Sequence, residues 1–260
     1  MTIPFHGRFV PQENKKGMVI SMEQYIFENP AFLVGMVLLG ILVAAGVTYE
    51  IMRHKTRALR NKGKEDRNVI IQSLQAIANA IDANDEYSSG HSLRVAAYSV
   101  EIARHMEMDK EFIDNIYYIG LLHDIGKIGI STTIIKKLGK LTDEEYESMK
   151  AHTIIGLEIV KNVTAISGLT AGVGQHHERW DGKGYHEGLE GEDIALTARI
   201  IAVADAYDAM SSERSYRTAL PKNVIVQEFE DCAGLQFDPT IAAIARELIE
   251  NGDFEKASAE

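Results

Sequence analysis

The sequence predicts an all-α protein, with one apolar helix long enough to cross a bilayer followed by a helical domain. Three observations carry this. Residues 31–49 contain no charged side chain, apolar residues recur at helical spacing from Ile70 onward, and no apolar–polar alternation runs long enough to make a strand. A hydrophobic content of 45% and a charged content of 25% are ordinary for a folded protein. The formal charge of −11 argues against a nucleic-acid duplex as partner, because no basic excess is left to neutralise phosphates. An anionic small substrate would need local compensation, such as a metal ion. The single cysteine, Cys232, excludes an internal disulfide and a cysteine-rich metal site.

Residues 1–30 read as a short extracytoplasmic tail and 31–49 as the span. At ~1.5 Å rise per residue, Ala31 to Tyr49 matches the thickness of a bilayer's hydrocarbon core. Residues 50–68 are a basic juxtamembrane linker carrying Arg53, Lys55, Arg57, Arg60, Lys62, Lys64 and Arg67, whereas only Arg8, Lys15 and Lys16 precede the span. The positive-inside bias then places the N-terminus outside and residues 69–260 in the cytoplasm, anchored at a bacterial inner membrane. Ile70, Leu74, Ile77 and Ile81 form a helical apolar stripe. It is read either as the first helix of the domain facing its core, or as the seam of a homodimer formed through this membrane-proximal helix. Segments 91–108, 109–123, 142–162, 192–213, 221–233 and 239–251 follow as helices.

The chain has nine histidines. His6 lies in the tail, His54 in the basic linker and His105 on a charged helix surface. His91 follows a small-residue turn, His123 and Asp124 end an apolar helix, His152 lies on another helix, and His176 and His177 are adjacent. Asp205 sits in an apolar run (IIAVADAYDAM), where burial is costly unless the carboxylate is paired or bound to a cation. Several independently satisfied core histidines would account for each of these singly. Their accumulation favours a binuclear site, since imidazole and carboxylate suit first-row divalent metals and a carboxylate can bridge two ions. Lys127 follows Asp124 by three residues, so one helical turn aims it at the same place.

The stretches EYSSGHSLRVAAYS, GLLHDIGKIGI, KLGKLTDEEYESMKAHTIIG, HHERWDGKGYHEG, ARIIAVADAYDAMSSERSYRTAL and LQFDP occur in this order. In that combination the chain resembles the HD-GYP family, the helical HD-superfamily phosphodiesterases of cyclic di-GMP. The resemblance implies an HD-superfamily bundle with His91, His123, Asp124, His152, His176, His177 and Asp205 as metal ligands. It makes Asp124 the bridge between two ions, iron or manganese, and sets Lys127 beside the scissile phosphate. It places Arg214 and Arg217 on substrate phosphate, and Gly182, Gly184 and Tyr185 in the loop that names the family and borders the substrate. The implied reaction is hydrolysis of cyclic di-GMP to linear pGpG by a hydroxide held between the metals, in some members continuing to GMP.

Two departures matter. The family's Gly-Tyr-Pro is Gly184–Tyr185–His186 here, which weakens the expectation of contacts with diguanylate cyclase (GGDEF) proteins. Tyr87 stands where some members carry a glutamate for a third metal, so two ions are expected. Two other readings are a non-catalytic cyclic di-GMP receptor or GGDEF scaffold, and a phosphohydrolase of another cyclic dinucleotide such as cyclic GMP-AMP.

Overall fold

The computed structural model describes residues 23–24, 28–83, 89–137, 139–213 and 218–259, the Lys64 side chain excepted. Tyr87, Arg214 and Arg217 lie outside the described residues. Two compact units follow along the chain, Met1–Arg67 and Asn68–Glu260. Among the described residues there is no strand, only an isolated bridge between Ala233 and Phe237. The fold is all-α, as the sequence predicts.

Helix α1, Pro30–Asp82, contains the apolar segment, whose mean hydropathy reaches 2.5. That stretch is apolar enough to cross a membrane, and its large side chains are exposed, Leu38 by 54% and Leu42 by 68%.

In the second unit the last turns of α1 join α2 (His91–His105), α3 (Lys110–Leu122), α4 (Thr132–Ile135), α5 (Asp143–Val160), α6 (Leu169–Gln175), α7 (Leu196–Ser211), α8 (Lys222–Asp231), α9 (Pro239–Asn251) and α10 (Asp253–Ala257). Two 3₁₀ turns, Ile125–Gly129 and Gly191–Asp193, connect α3 to α4 and α6 to α7. Helices start where side chains satisfy the free amides of the first turn. Asp109 caps α3, Asp238 caps α9 with Pro239 at its first position, and Thr142 and Glu145 form a reciprocal capping box on α5. The core gathers Val95, Ile102, Ile116, Ile119, Ile200, Phe229 and Leu248, with Tyr98, Tyr207 and Phe254 in mutual ring contact.

Helix limits differ from the sequence reading most at two places. The segment begun at 91 stops at His105, because Glu107 adopts φ 55, a left-handed conformation no helix continues. The segment expected from 192 begins as a 3₁₀ turn and becomes α7 only at Leu196. Helices α4, α6 and α10 were not anticipated.

The apolar stripe on α1 divides. Ile81 is buried and Leu74 packs on the core beside fully buried Ala78, but Ile70 and Ile77 are 55% and 44% exposed. Asp82 fixes this rotation, because its carboxylate accepts hydrogen bonds from the Ser92 amide at 3.1 Å and hydroxyl at 2.8 Å.

Candidate metal centre

Five helices deliver the polar residues to one place. His91 opens α2, His123 caps the C-terminus of α3 with Asp124 next to it, and His152 lies inside α5. His176 caps α6, His177 follows it, and Asp205 comes from α7. His91, His123, Asp124, His152 and His176 are all buried. Gly126 permits the closest of these approaches. A Cβ there would stand 1.8 Å from the His152 carbonyl oxygen, so only glycine lets the 3₁₀ turn after Asp124 settle onto α5.

The ring orientations follow from helix geometry. Nδ1 of His123, His152 and His176 lies 2.8, 2.7 and 2.8 Å from the carbonyl oxygens of Gly120, Met149 and Val173, three residues back in each case. A carbonyl can only accept, so each Nδ1 carries the proton and each Nε2 presents a lone pair inward. His123 Nε2 is buried with no hydrogen-bond partner. His91 is held differently, with Nδ1 2.8 Å from the Asp208 carboxylate.

Asp124 occupies the middle. Its Oδ2 is 3.5 Å from His91 Nε2 and 3.3 Å from His123 Nε2, while its Oδ1 is 3.4 Å from His152 Nε2 and 4.0 Å from His176 Nε2. Asp205 Oδ1 stands 3.4 Å from His91 Nε2. Donor atoms close enough to share an ion form three groups among the described residues: His91–His123–Asp205, His152–His176–His177, and His123–Asp124–His176, which shares one histidine with each of the others. Two donors ~2.1 Å from one tetrahedral ion stand about 3.4 Å apart. The spacing, the nitrogen and oxygen donors and the unpartnered His123 Nε2 all fit a pair of first-row divalent ions.

The electrostatics agree. Burial works against a charge on Asp124, but Lys127 beside it and a hydrogen bond from His91 overcome it and hold the carboxyl well below its usual range. Burial also pushes His152 and His176 down, and with neighbouring His152 takes His177 to about 3, so these rings are neutral at physiological pH. At His91 burial is outweighed by hydrogen bonds to Asp124 and Asp208 and by the charge of Asp205, which raise it to about 10. The excess of carboxylate around His91 marks a position that attracts a cation.

Lys127, on the 3₁₀ turn, puts Nζ 2.6 Å from Asp124 Oδ2 with its side chain 22% exposed. Beside the cluster a cavity of about 530 Å³ is bordered by His177, Asp205, Gly184, Tyr185, Tyr146 and Gln236. Gly184 packs so tightly that a Cβ would stand 2.4 Å from the Arg179 amide nitrogen. Gly182 forms the turn at φ 71 and does not border the cavity. The Tyr185 amide donates to the His177 carbonyl at 3.3 Å, and its ring lies 5.0 Å from the His177 ring. Burial keeps the Tyr185 hydroxyl protonated. His186 is exposed and belongs to none of the donor groups.

Sequence reasoning missed three contributors. Glu178 anchors the glycine loop, its Oε1 accepting from the Glu187 and Gly188 amides at 2.6 and 3.1 Å. Asp208 and Arg94 back His91. The signal for Asp208 was present, since it lies in the same apolar run as Asp205, three residues on.

The sequence pattern of the HD domain family matches residues 75–241. The chain is 33% identical over 233 residues to the 3'3'-cGAMP-specific phosphodiesterase 3 of Vibrio cholerae, covering 89% of this chain and 48% of that protein. It is 38% identical over 179 residues to a cyclic di-GMP phosphodiesterase of Thermotoga maritima, covering 68% of this chain and 49% of the relative. The chain thus spans about half the length of the curated relatives it matches. Among solved structures, a cyclic GMP-AMP-specific phosphodiesterase of V. cholerae has a similar fold, with a TM-score of 0.58 at 18% identity over 72% of this chain and 50% of the other.

Proposed function

The chain belongs to the HD domain family, and on that premise we propose that it is a metal-dependent phosphodiesterase of a cyclic dinucleotide, cyclic di-GMP first. One observation carries the reading. Asp124 turns one carboxylate oxygen to His91 and His123 and the other to His152 and His176, between two groups of donors.

On this reading His91, His123 and Asp205 would hold one ion, and His152, His176 and His177 the other. Asp124 would serve both, and iron or manganese is the expected metal. When bound, the ions supply Lewis acidity and offset the charge of the phosphodiester, which an acidic chain otherwise lacks. The protein's own groups do the rest. Lys127 Nζ, already charged beside Asp124, stabilises negative charge developing on the phosphate and donates a proton to the departing sugar oxygen. Tyr185, Gly184 and the His177 face border the space where the nucleotide lies. Arg214 and Arg217 remain proposed phosphate contacts, and Tyr87 the reason for expecting two ions and a linear pGpG product. Apolar 31–49, followed by the basic linker, is proposed as a single inner-membrane anchor with the domain in the cytoplasm. No GGDEF contact is proposed through His186.

A second reading is favoured by the V. cholerae relatives named for 3'3'-cGAMP, since metal and phosphate contacts do not read bases. The test is to purify the full chain in detergent without air, supply manganese or ferrous iron, and follow cyclic di-GMP and 3'3'-cGAMP separately by product mass. Conversion of cyclic di-GMP to pGpG at the higher kcat/KM is expected. Preference for the hybrid dinucleotide would install the second reading, and no turnover of either would overturn both.

A further inference from the structure

We propose that Asp208, clamped by Arg94, is the positioning residue that fixes His91 for its ion, and that it makes the two halves of the metal centre unequal. The proposal rests on the reading of the cluster as a metal centre.

The argument starts from helix geometry. His123, His152 and His176 follow at least three residues of their own helices, so a carbonyl three positions back receives Nδ1–H. His91 is the first residue of α2 and has no helical turn behind it. Its Nδ1 partner must come from elsewhere in the fold, and α7 provides it. Asp205 and Asp208 are three residues apart on that helix and share one face. The first stands 3.4 Å from His91 Nε2, the second 2.8 Å from His91 Nδ1. One helix thereby holds both ends of the same imidazole.

Asp208 is itself fully determined. It is 1% exposed, and Arg94 grips it with Nε to Oδ1 at 2.6 Å and Nη2 to Oδ2 at 3.0 Å. Arg94 Nη1 also donates to the Ser89 carbonyl at 2.8 Å, tying down the chain just ahead of His91. A buried carboxylate behind a histidine fixes the ring, sets which nitrogen carries the proton and makes the inward nitrogen a better donor than a carbonyl partner does. The His91–His123–Asp205 side therefore depends on an anion behind its ligand, whereas His152 and His176 on the other side rely on neutral carbonyls.

The experiment titrates cobalt(II) into the chelator-stripped full chain in detergent, reading heat and visible absorption, for wild type, Asp208→Ala, Asp208→Asn and Arg94→Gln. Unfolding midpoints are measured without metal alongside. Wild type is expected to take two ions. Asp208→Ala should bind one of them about 10–100-fold more weakly and leave the other unchanged. Asp208→Asn keeps an acceptor for Nδ1–H and should recover part of the loss, and Arg94→Gln should weaken the same ion by less. Both affinities unchanged from wild type in folded Asp208→Ala and Asp208→Asn chains would overturn the proposal alone. So would a parallel loss at both ions that tracks a lowered metal-free midpoint. A wild-type chain that takes up no ion would overturn it together with the reading of the site.

Discussion

Asp124 is buried and ionised, with four imidazole nitrogens within 4.0 Å and an ammonium at 2.6 Å. Asp124→Asn keeps the shape but removes the charge both donor groups share, so metal content should fall and turnover with it, by roughly 10³-fold or more. Lys127→Ala should leave metal content intact and lower kcat by about 10²-fold, as expected for a lost proton donor. Metal analysis beside steady-state kinetics separates the two. Gly126→Ala forces a methyl group onto the His152 backbone and should destabilise the domain by about 1–3 kcal/mol or more, read from denaturant unfolding. The candidate donors were legible because histidine beside aspartate, paired histidines and an acid in an apolar run accumulate in one chain, although each alone has a bland reading. Glu178 was not, because a loop acid next to two histidines looks solvated until its partners, the Glu187 and Gly188 amides, are placed by the fold.

Helix α1 marks what periodicity can and cannot say. The spacing of Ile70, Leu74, Ile77 and Ile81 announces a helix, but the rotation is decided by Asp82 reaching Ser92, a bond across ten residues that no periodicity contains. The energetic consequence is directional. Ile81→Ala, which empties a buried site, should cost about 2–5 kcal/mol, while Ile77→Ala should stay within about 0.5 kcal/mol in dilute protein. Equal losses in chemical denaturation would mean that the stripe is buried as a whole. Helix α6 escaped the sequence reading because its seven residues, LTAGVGQ, contain two glycines and too few turns for an apolar period to emerge. Those glycines allow close packing instead, since a Cβ on Gly172 would stand 2.3 Å from the Ile119 side chain and one on Gly174 2.8 Å from Leu157. The helix can therefore sit low enough for His176 to reach the cluster.

At the scale of the molecule, an acidic chain with the proposed anionic substrate needs concentrated positive charge at one point. The basic residues around 53–67 are adjacent to the apolar segment in sequence, so on the proposed reading Lys127, Arg214, Arg217 and the ions supply that charge in the second unit. With residues 31–49 as an anchor, the full chain should stay with the membrane fraction through high salt and alkaline washing and leave it only with detergent; release by salt alone would contradict a spanning helix. The all-α class and the donor set were legible because both are written in local patterns. The approach of these donors to Asp124 needed five helices brought together. The most direct test is the metal count of the anaerobically purified full chain, taken with that of Asp124→Asn under the same conditions. The account predicts about two first-row ions per wild-type chain and a marked loss in the variant. At most one ion in wild type, or an unchanged count in Asp124→Asn, would contradict it.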